Sequence, residues 1–297
     1  MNSISIIIVT YNSETEIRDC LESIISQSTD FQYQVIVADN NSTDNTISIV
    51  NAFDNENIRL IRNDINLGFT IANNQCLKQA TGNYIFFLNP DTILQINSIN
   101  ELINELKNNK QLGAVAPQLR YPDGRIQKSC RRFPRRRDII YEITGLSRIF
   151  KNSTEINHWK MIDFNHETDS LVDQPAGAAI LSRKSIIDEI GLLDEQFPMF
   201  FSDVDFCRRI IDNGNSIKFS ANTYIIHKGG SSIFRNRTKM IISSHVSFWK
   251  YFNKYKVGLI GSLLNILTGI MLLILIPIRI LINSLFPKII QTKRQSL

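Results

Sequence analysis

The 297-residue sequence has no CxxC pair among its four cysteines, no glycine in the turn after its first apolar run, no Walker-type Gly-Lys-Ser/Thr, and no Asp or Glu after Asp212. Each absence excludes something. Scattered cysteines (Cys20, Cys76, Cys130, Cys207) speak against a zinc site or a disulfide framework and fit reduced thiols in the cytoplasm. The turn "TYNSETE" carries two glutamates and would repel a pyrophosphate, so a dinucleotide-binding dehydrogenase is excluded. The start, "MNSISIIIVTYN", lacks the basic residues of a secretory signal and reads as a strand.

The missing acids leave the chain electrically lopsided. Twelve Lys and Arg follow Asp212, so the first 212 residues hold 21 bases against all 28 acids, a net charge of −7 within a chain of +5. A basic tail can meet nucleic acid or anionic lipid. Residues 257–278, "VGLIGSLLNILTGIMLLILIPI", decide for lipid, because they carry no charge over about the length that crosses a bilayer. Nucleic-acid binding is disfavoured, since the bases flank this stretch instead of interleaving with exposed aromatics. Lys250, Lys254 and Lys256 precede it, and Arg279, Lys288, Lys293 and Arg294 follow, so charge gives no single orientation. With Pro277 and Pro287 at its far end, a shallow hairpin or in-plane helices fit as well as a true span.

An apolar content of 43% against 21% charged marks a folded chain. Its first 120 residues alternate β-branched runs with helical patterns, the signature of βα units and a parallel sheet. Strands are expected at 4–10, 34–39, 58–62, 84–88 and 113–118. Ser13 and Glu16 have the spacing of a capping box opening a helix to about Gln27, and Ser42 or Thr43 can cap a second through Phe53. A third is expected from Phe69 to a stop at Gly82. Residues 119–171, polar and Arg-rich, read as a long loop region with short helices. Regular structure resumes at "AGAAILSRKSIIDEIG", a strand and a helix stopped by Gly191, and a further helix runs from about Asp203 to Asn213.

Ligands of an open α/β sheet sit beyond the carboxyl ends of its strands, where this chain concentrates distinctive polar residues. Strand one ends in Thr10-Tyr11-Asn12, strand two in "ADNNSTDNT", and strand four, "YIFFL", in Asn89-Pro90-Asp91. An acid at the mouth of an apolar strand is costly unless a turn, a helix N-terminus or a cation wants its charge.

Together the segments "SIIIVTYNSE", "VIVADNNSTDNT", "NLGFTIANNQ", "FFLNPDT", "GAAILSRK", "GLLDEQFPMFFSDVDFCRR" and "IIHKGGSS", over about residues 3–232, resemble the inverting GT-A glycosyltransferases of family 2, especially their bacterial rhamnosyltransferase-like branch. The resemblance implies a GT-A fold, Rossmann-like with a mostly parallel sheet that binds a nucleotide sugar, over residues 1–240. Residues 241–297 are then a C-terminal membrane-associated helical segment. It implies that Asp39 accepts the imide N–H of a uracil or thymine ring beside Thr10, Tyr11 and Asn12. Asn66, Gly68 and Asn74 would lie near the diphosphate and ribose, with Gly68 allowing close backbone approach. The family's DxD motif reads here Asn89-Pro90-Asp91, which leaves Asp91 as the carboxylate ligand of Mg²⁺ or Mn²⁺ and His227 as the late histidine completing the site. The base motif (E/D)-D-x-D reads Ser202-Asp203-Val204-Asp205. It assigns Asp203 as the general base, with Asp205 binding the acceptor or bracing a loop. Phe197 to Phe201 offer apolar walls that would raise the proton affinity of Asp203. The cluster "RRFPRRR", with Arg131 and Arg135, could meet the diphosphate of a lipid-linked acceptor or anionic head groups.

The expected activity is therefore inverting transfer of a sugar, first of all rhamnose, from a dTDP- or UDP-sugar to a lipid-linked saccharide in cell-surface polysaccharide or O-antigen assembly. Its place would be the cytoplasmic face of the cell membrane. A polyprenyl-phosphate sugar synthase is the enzyme rival, and a membrane-anchored nucleotide-sugar-binding scaffold without catalysis the rival of another class.

Overall fold

The computed structural model describes residues 3–27, 31–229 and 237–285. Pro287, Lys288, Lys293, Arg294 and the last three residues of "IIHKGGSS" lie outside the described residues.

The first part alternates strand and helix as its pattern predicts: β1 (Ser3–Thr10), α1 (Ile17–Ile25), β2 (Gln32–Asp39), α2 (Thr46–Asn51), β3 (Ile58–Arg62), α3 (Phe69–Leu77) and β4 (Tyr84–Leu88). A short β5 (Thr92–Leu94), α4 (Ser98–Asn108) and β6 (Leu112–Arg120) follow. The Arg-rich region holds β7 (Cys130–Arg131), α5 (Arg136–Thr144), α6 (Leu146–Ile149) and β8 (Ser170–Leu171), short pieces as its weak periodicity implies. Then come β9 (Gln174–Pro175), β10 (Ala179–Arg183), α7 (Lys184–Ile190), α8 (Ser202–Asp212), β11 (Ser216–His227), α9 (Arg237–Lys254) and α10 (Gly258–Leu285).

The sheet runs β3-β2-β1-β4-β10-β6-β11-β5, with β8 beside β11; β7 and β9 pair separately. β3, β2, β1 and β4 are mutually parallel, β10 is antiparallel to both β4 and β6, and β11 is parallel to β6. The architecture is thus the expected GT-A-like α/β fold. Both faces of the sheet are covered, which is why β1 carries a continuous apolar run, Ile6 to Val9, instead of alternating throughout. Ile4, Ile6 and Ile8 enter one core cluster, with Phe86 and Leu88, while Ile7 enters the other with Ile85 and Phe87. Gly82 serves close approach, since a Cβ there would stand 2.5 Å from the Ser5 backbone nitrogen.

Three local expectations are corrected. α1 starts at Ile17 and Glu16 makes no side-chain cap; the Ser13 N–H donates to Thr46 Oγ1 instead, 2.7 Å, across to the neighbouring loop. α2 is capped neither by Ser42 nor by Thr43, because Asp44 Oδ1 accepts the Thr46 N–H at 3.0 Å. The expected division after residue 240 falls inside α9, whose Phe248, Tyr251 and Phe252 share a core cluster with Phe197, Phe201 and Val204.

α10 is built inside out. Asn265 and Thr268 are buried, whereas Leu259, Leu263, Ile266, Ile270, Leu273 and Ile274 are exposed. Asn265 Nδ2 donates to Asn253 Oδ1 on α9, 3.2 Å, and Gly269 lets the Trp249 ring close in. Over Gly258–Leu281 the helix is long and apolar enough to cross a membrane.

Candidate active site

Parallel pairing brings the ends of β1, β2 and β4 to one edge of the sheet. The order turns between β1 and β4, the usual crevice of such folds. Thr10 stands opposite Asp39, and Thr10 Oγ1 donates to Asp39 Oδ1 at 2.8 Å. Asp39 is fully buried and also accepts the Ser42 hydroxyl (2.5 Å) and, on Oδ2, the Ser42 N–H (2.8 Å). A carboxylate offers about four acceptor directions, so roughly one remains for a ligand. Asn12, at φ +53°, ties the two loops, its Oδ1 accepting the Thr43 N–H at 2.7 Å. Tyr11 is exposed beside it.

Asn66 Oδ1 accepts the Gly68 N–H at 3.0 Å. Gly68 has φ +85°, and a Cβ there would meet the Pro198 carbonyl oxygen at 3.0 Å, so the glycine is required twice over. Asn74 is buried and engaged on both sides of its amide. Its Nδ2 donates to the Leu193 carbonyl (2.9 Å) and Glu195 (3.0 Å), and its Oδ1 accepts the Leu193 N–H (3.0 Å). It braces the loop before α8, where the sequence suggested a nucleotide contact.

The turn Asn89-Pro90-Asp91 is held by its first residue. The Asn89 N–H donates to the Ala178 carbonyl at 2.9 Å, and its own carbonyl accepts the Thr92 hydroxyl at 2.7 Å. Antiparallel pairing of β5 with β11 sets Thr92 opposite His227, bringing the preceding Asp91 to the histidine. Asp91 Oδ1 lies 3.4 Å from His227 Nε2, and Asp91 Oδ2 accepts the Gly229 N–H at 3.1 Å. Burial works to raise the Asp91 carboxyl, but a His227 ring protonated on Nε2, together with backbone N–H groups, outweighs it and holds it below its ordinary value.

Gln127 fixes the tautomer. Its Nε2 donates to the His227 carbonyl at 2.5 Å, so its Oε1, 2.9 Å from His227 Nδ1, accepts a proton from that nitrogen. In neutral histidine Nε2 then turns a lone pair toward the carboxylate. Two acceptors facing each other at 3.4 Å ask for a proton or a cation between them. Histidine and carboxylate ligands at about 2.0–2.2 Å from one ion, roughly 90–110° apart, would stand about 3.0–3.5 Å from each other. The donor pair fits a divalent cation. Among the described residues no group of three or more His, Cys, Asp or Glu side chains could hold a metal, so remaining ligands would come from elsewhere.

Asp203 begins α8, where the helix dipole favours an acid. Its Oδ1 accepts the Val204 N–H at 2.9 Å, and its Oδ2 accepts the Gly177 N–H at 3.2 Å and Gln174 Nε2 at 3.4 Å. Burial dominates and raises its pKa above the ordinary value, as a proton acceptor at neutral pH requires. A Cβ on Gly177 would stand 3.0 Å from the Asp203 Cβ and 3.3 Å from Oδ2.

Asp205 points away into the protein. It is fully buried, receiving Arg209 Nε at 2.8 Å, the Tyr255 hydroxyl at 2.7 Å and Lys254 Nζ at 2.6 Å, so no surface remains for an acceptor. The arginine cluster is likewise spent internally. Arg131 donates to the Lys128 and Cys130 carbonyls, Arg132 pairs with Asp163, and Arg135 binds Asp138 and Glu155. Arg136 reaches the Gly261 carbonyl on α10. Arg135 is thus paired with acids of its own chain, and Arg131 is held by two backbone carbonyls. Gln127, Gln174 and Gly177 were not legible as site residues.

This geometry can be set beside known proteins. Residues 5–188, more than half of the chain, match the family described as Glycosyl transferase family 2. The chain belongs to that family. As a family 2 glycosyltransferase it is 25% identical over 258 residues to the N-acetylglucosaminyl-diphospho-decaprenol L-rhamnosyltransferase of Mycobacterium tuberculosis, covering 82% of this chain and 81% of that protein. It is 28% identical over 248 residues to the UDP-Glc:alpha-D-GlcNAc-diphosphoundecaprenol beta-1,3-glucosyltransferase of Escherichia coli, covering 82% and 84%. Solved structures share the fold. S. aureus TarS 1-349 in complex with UDP superposes with TM-score 0.55 at 20% identity, covering 82% of this chain and 64% of that one. GalNAc-T7 with UDP, GalNAc and Mn²⁺ gives 0.57 at 14%, covering 76% of this chain but only 44% of its own length.

Proposed function

We propose that this glycosyltransferase moves a sugar, first of all rhamnose, from a dTDP- or UDP-sugar to a hydroxyl of a lipid-linked saccharide, with inversion, at the cytoplasmic face of the membrane. One observation carries the reading. A single segment holds both halves of the chemistry, since the Gly177 N–H binds the Asp203 carboxylate and the Ala178 carbonyl binds the turn that presents Asp91. The metal-binding acid and the base are thereby built onto opposite ends of one fixed peptide.

In this reading Asp39, Thr10, Tyr11 and Asn12 line the nucleotide's base, and the turn at Asn66 to Gly68 approaches its phosphates. Asp91 and His227 would hold Mg²⁺ or Mn²⁺, which when bound offsets the charge of the departing nucleotide diphosphate. Asp203 takes the proton of the acceptor hydroxyl as that oxygen attacks the anomeric carbon from the face opposite the leaving group. Membrane association is supported by the exposed apolar face of α10 and by relatives whose names give polyprenyl-diphosphate-linked acceptors. The test is a panel of nucleotide sugars with a GlcNAc-diphosphopolyprenol in vesicles, read as released dTDP or UDP with Mn²⁺, Mg²⁺ or EDTA. The reading predicts divalent-dependent release and an inverted linkage. Equal release in excess EDTA overturns it, and full transfer by Asp203→Asn would favour an acceptor phosphate that needs no base.

A further inference from the structure

We propose that Lys254, the last residue of α9, and Tyr255, which follows it, are positioning residues for the base Asp203, so that the C-terminal helices are part of the active site and not only an anchor. The inference rests on the reading of Asp203 as the base. Asp205 sits two residues beyond it on the first turns of α8, fully buried. A buried carboxylate must be paired, and two of its three partners come from the end of α9 and the residue after it: Lys254 Nζ at 2.6 Å and the Tyr255 hydroxyl at 2.7 Å.

The same face of α9 grips the loop that leads into α8. Lys254 also binds Asp194 Oδ2 at 2.6 Å, and Lys250 Nζ donates to the Gln196 carbonyl at 2.9 Å. Phe201, immediately before α8, has φ +72°, a conformation a bulky residue adopts only under outside constraint. That constraint is aromatic and again comes from α9, with ring centroids of Phe248 and Tyr251 at 4.6 and 5.3 Å. The loop, the strained residue and the first turn of α8 are therefore referenced to α9, the helix packed against α10. The elements gathered around Asp39 and Asp91 make no such contact among the bonds described. The same loop also meets the donor side, through Pro198 against Gly68 and Leu193 on Asn74. Those holds stay when the clamp on α8 loosens, so the base shifts most, and misplacement of a reacting group by about 1 Å costs up to about a hundredfold in rate.

The experiment compares full-length Lys254→Met, Tyr255→Phe and Lys254→Arg with the parent in vesicles, well below each variant's Tm. It measures kcat and the KM for the nucleotide sugar. The expected result is a kcat lowered about tenfold or more in Lys254→Met and about threefold or more in Tyr255→Phe, with the nucleotide-sugar KM within about twofold and Lys254→Arg recovering most of the rate. A lower Tm with kcat unchanged, or loss of donor KM with kcat intact, overturns the proposal. If Lys254→Met does not fold, Tyr255→Phe, which removes one hydroxyl, decides by the same criteria. Asp203→Asn is run alongside. If it keeps transfer, the base assignment fails; if it alone loses transfer, only the clamp fails.

Discussion

His227 Nε2 faces Asp91 Oδ1 across 3.4 Å, and Gln127 on the far side of the ring dictates that this nitrogen presents its lone pair. Asp91→Asn removes the carboxylate but keeps the shape. Transfer should fall by about 10²-fold or more, with a raised requirement for Mn²⁺ in a metal titration. Gln127→Leu should free the ring and weaken metal affinity by about tenfold or more, although Gln127 itself would touch no ligand.

Stability should follow the same acid. A carboxyl held below its ordinary value contributes stability that is present above the unfolded pKa and lost as pH falls through the folded one. In metal-free buffer, where a proton on His227 Nε2 takes the cation's place between the two groups, Asp91→Asn should therefore lower Tm. The difference should close in acid, below the ordinary carboxylate range, as read by thermal unfolding at several pH values.

Much of this was legible beforehand, for a physical reason. A strand covered on both faces needs an unbroken apolar run, so β1, β2 and β4 announce themselves, and polar residues at their ends have few reasons to be there except a ligand. What could not be read was contact between distant segments. Nothing in the sequence says that Asp205 and Lys254 are partners, that Asn74 braces Leu193, or that the arginines from Arg131 to Arg137 find acids and carbonyls at hand. A charge is visible in a sequence and its partner is not. The capping errors share this origin, since the Ser13 N–H goes to Thr46 in the neighbouring loop and Ser42 gives its N–H and hydroxyl to the buried Asp39.

The base carries a pH signature. Burial raises the Asp203 carboxyl above the ordinary 3.8, so the acid limb of kcat against pH should lie above that of an exposed aspartate. Asp203→Asn should lower transfer by about 10²- to 10⁴-fold and abolish the limb while leaving nucleotide-sugar binding, measured calorimetrically, within about threefold.

Gly177 tests whether the base needs its close approach. A methyl group there would meet the Asp203 Cβ at 3.0 Å, so the carboxylate must shift by a few tenths of an ångström or the segment must give. Gly177→Ala should cost about 1–3 kcal/mol of stability and about tenfold or more in kcat. Gly124→Ala, where a Cβ meets nothing, is the control for backbone strain alone at φ +86°.

The exposed face of α10 makes its own prediction. A helix in water hides its leucines and shows its asparagines, whereas α10 buries Asn265 and Thr268 against α9 and exposes Leu263, Ile266, Ile270 and Leu273. That arrangement is stable only where the surroundings are apolar. Replacing Ile266 and Ile270 together with Asp should therefore release the protein from vesicles in a flotation assay and, because the face touches no catalytic group, preserve divalent-dependent donor hydrolysis within about threefold. Transfer to a lipid-linked acceptor should fall much further than hydrolysis, since that acceptor stays with the bilayer. Removing buried Asn265 by Asn265→Leu should do the opposite: membrane binding persists while the seam to Asn253 loosens and Tm falls.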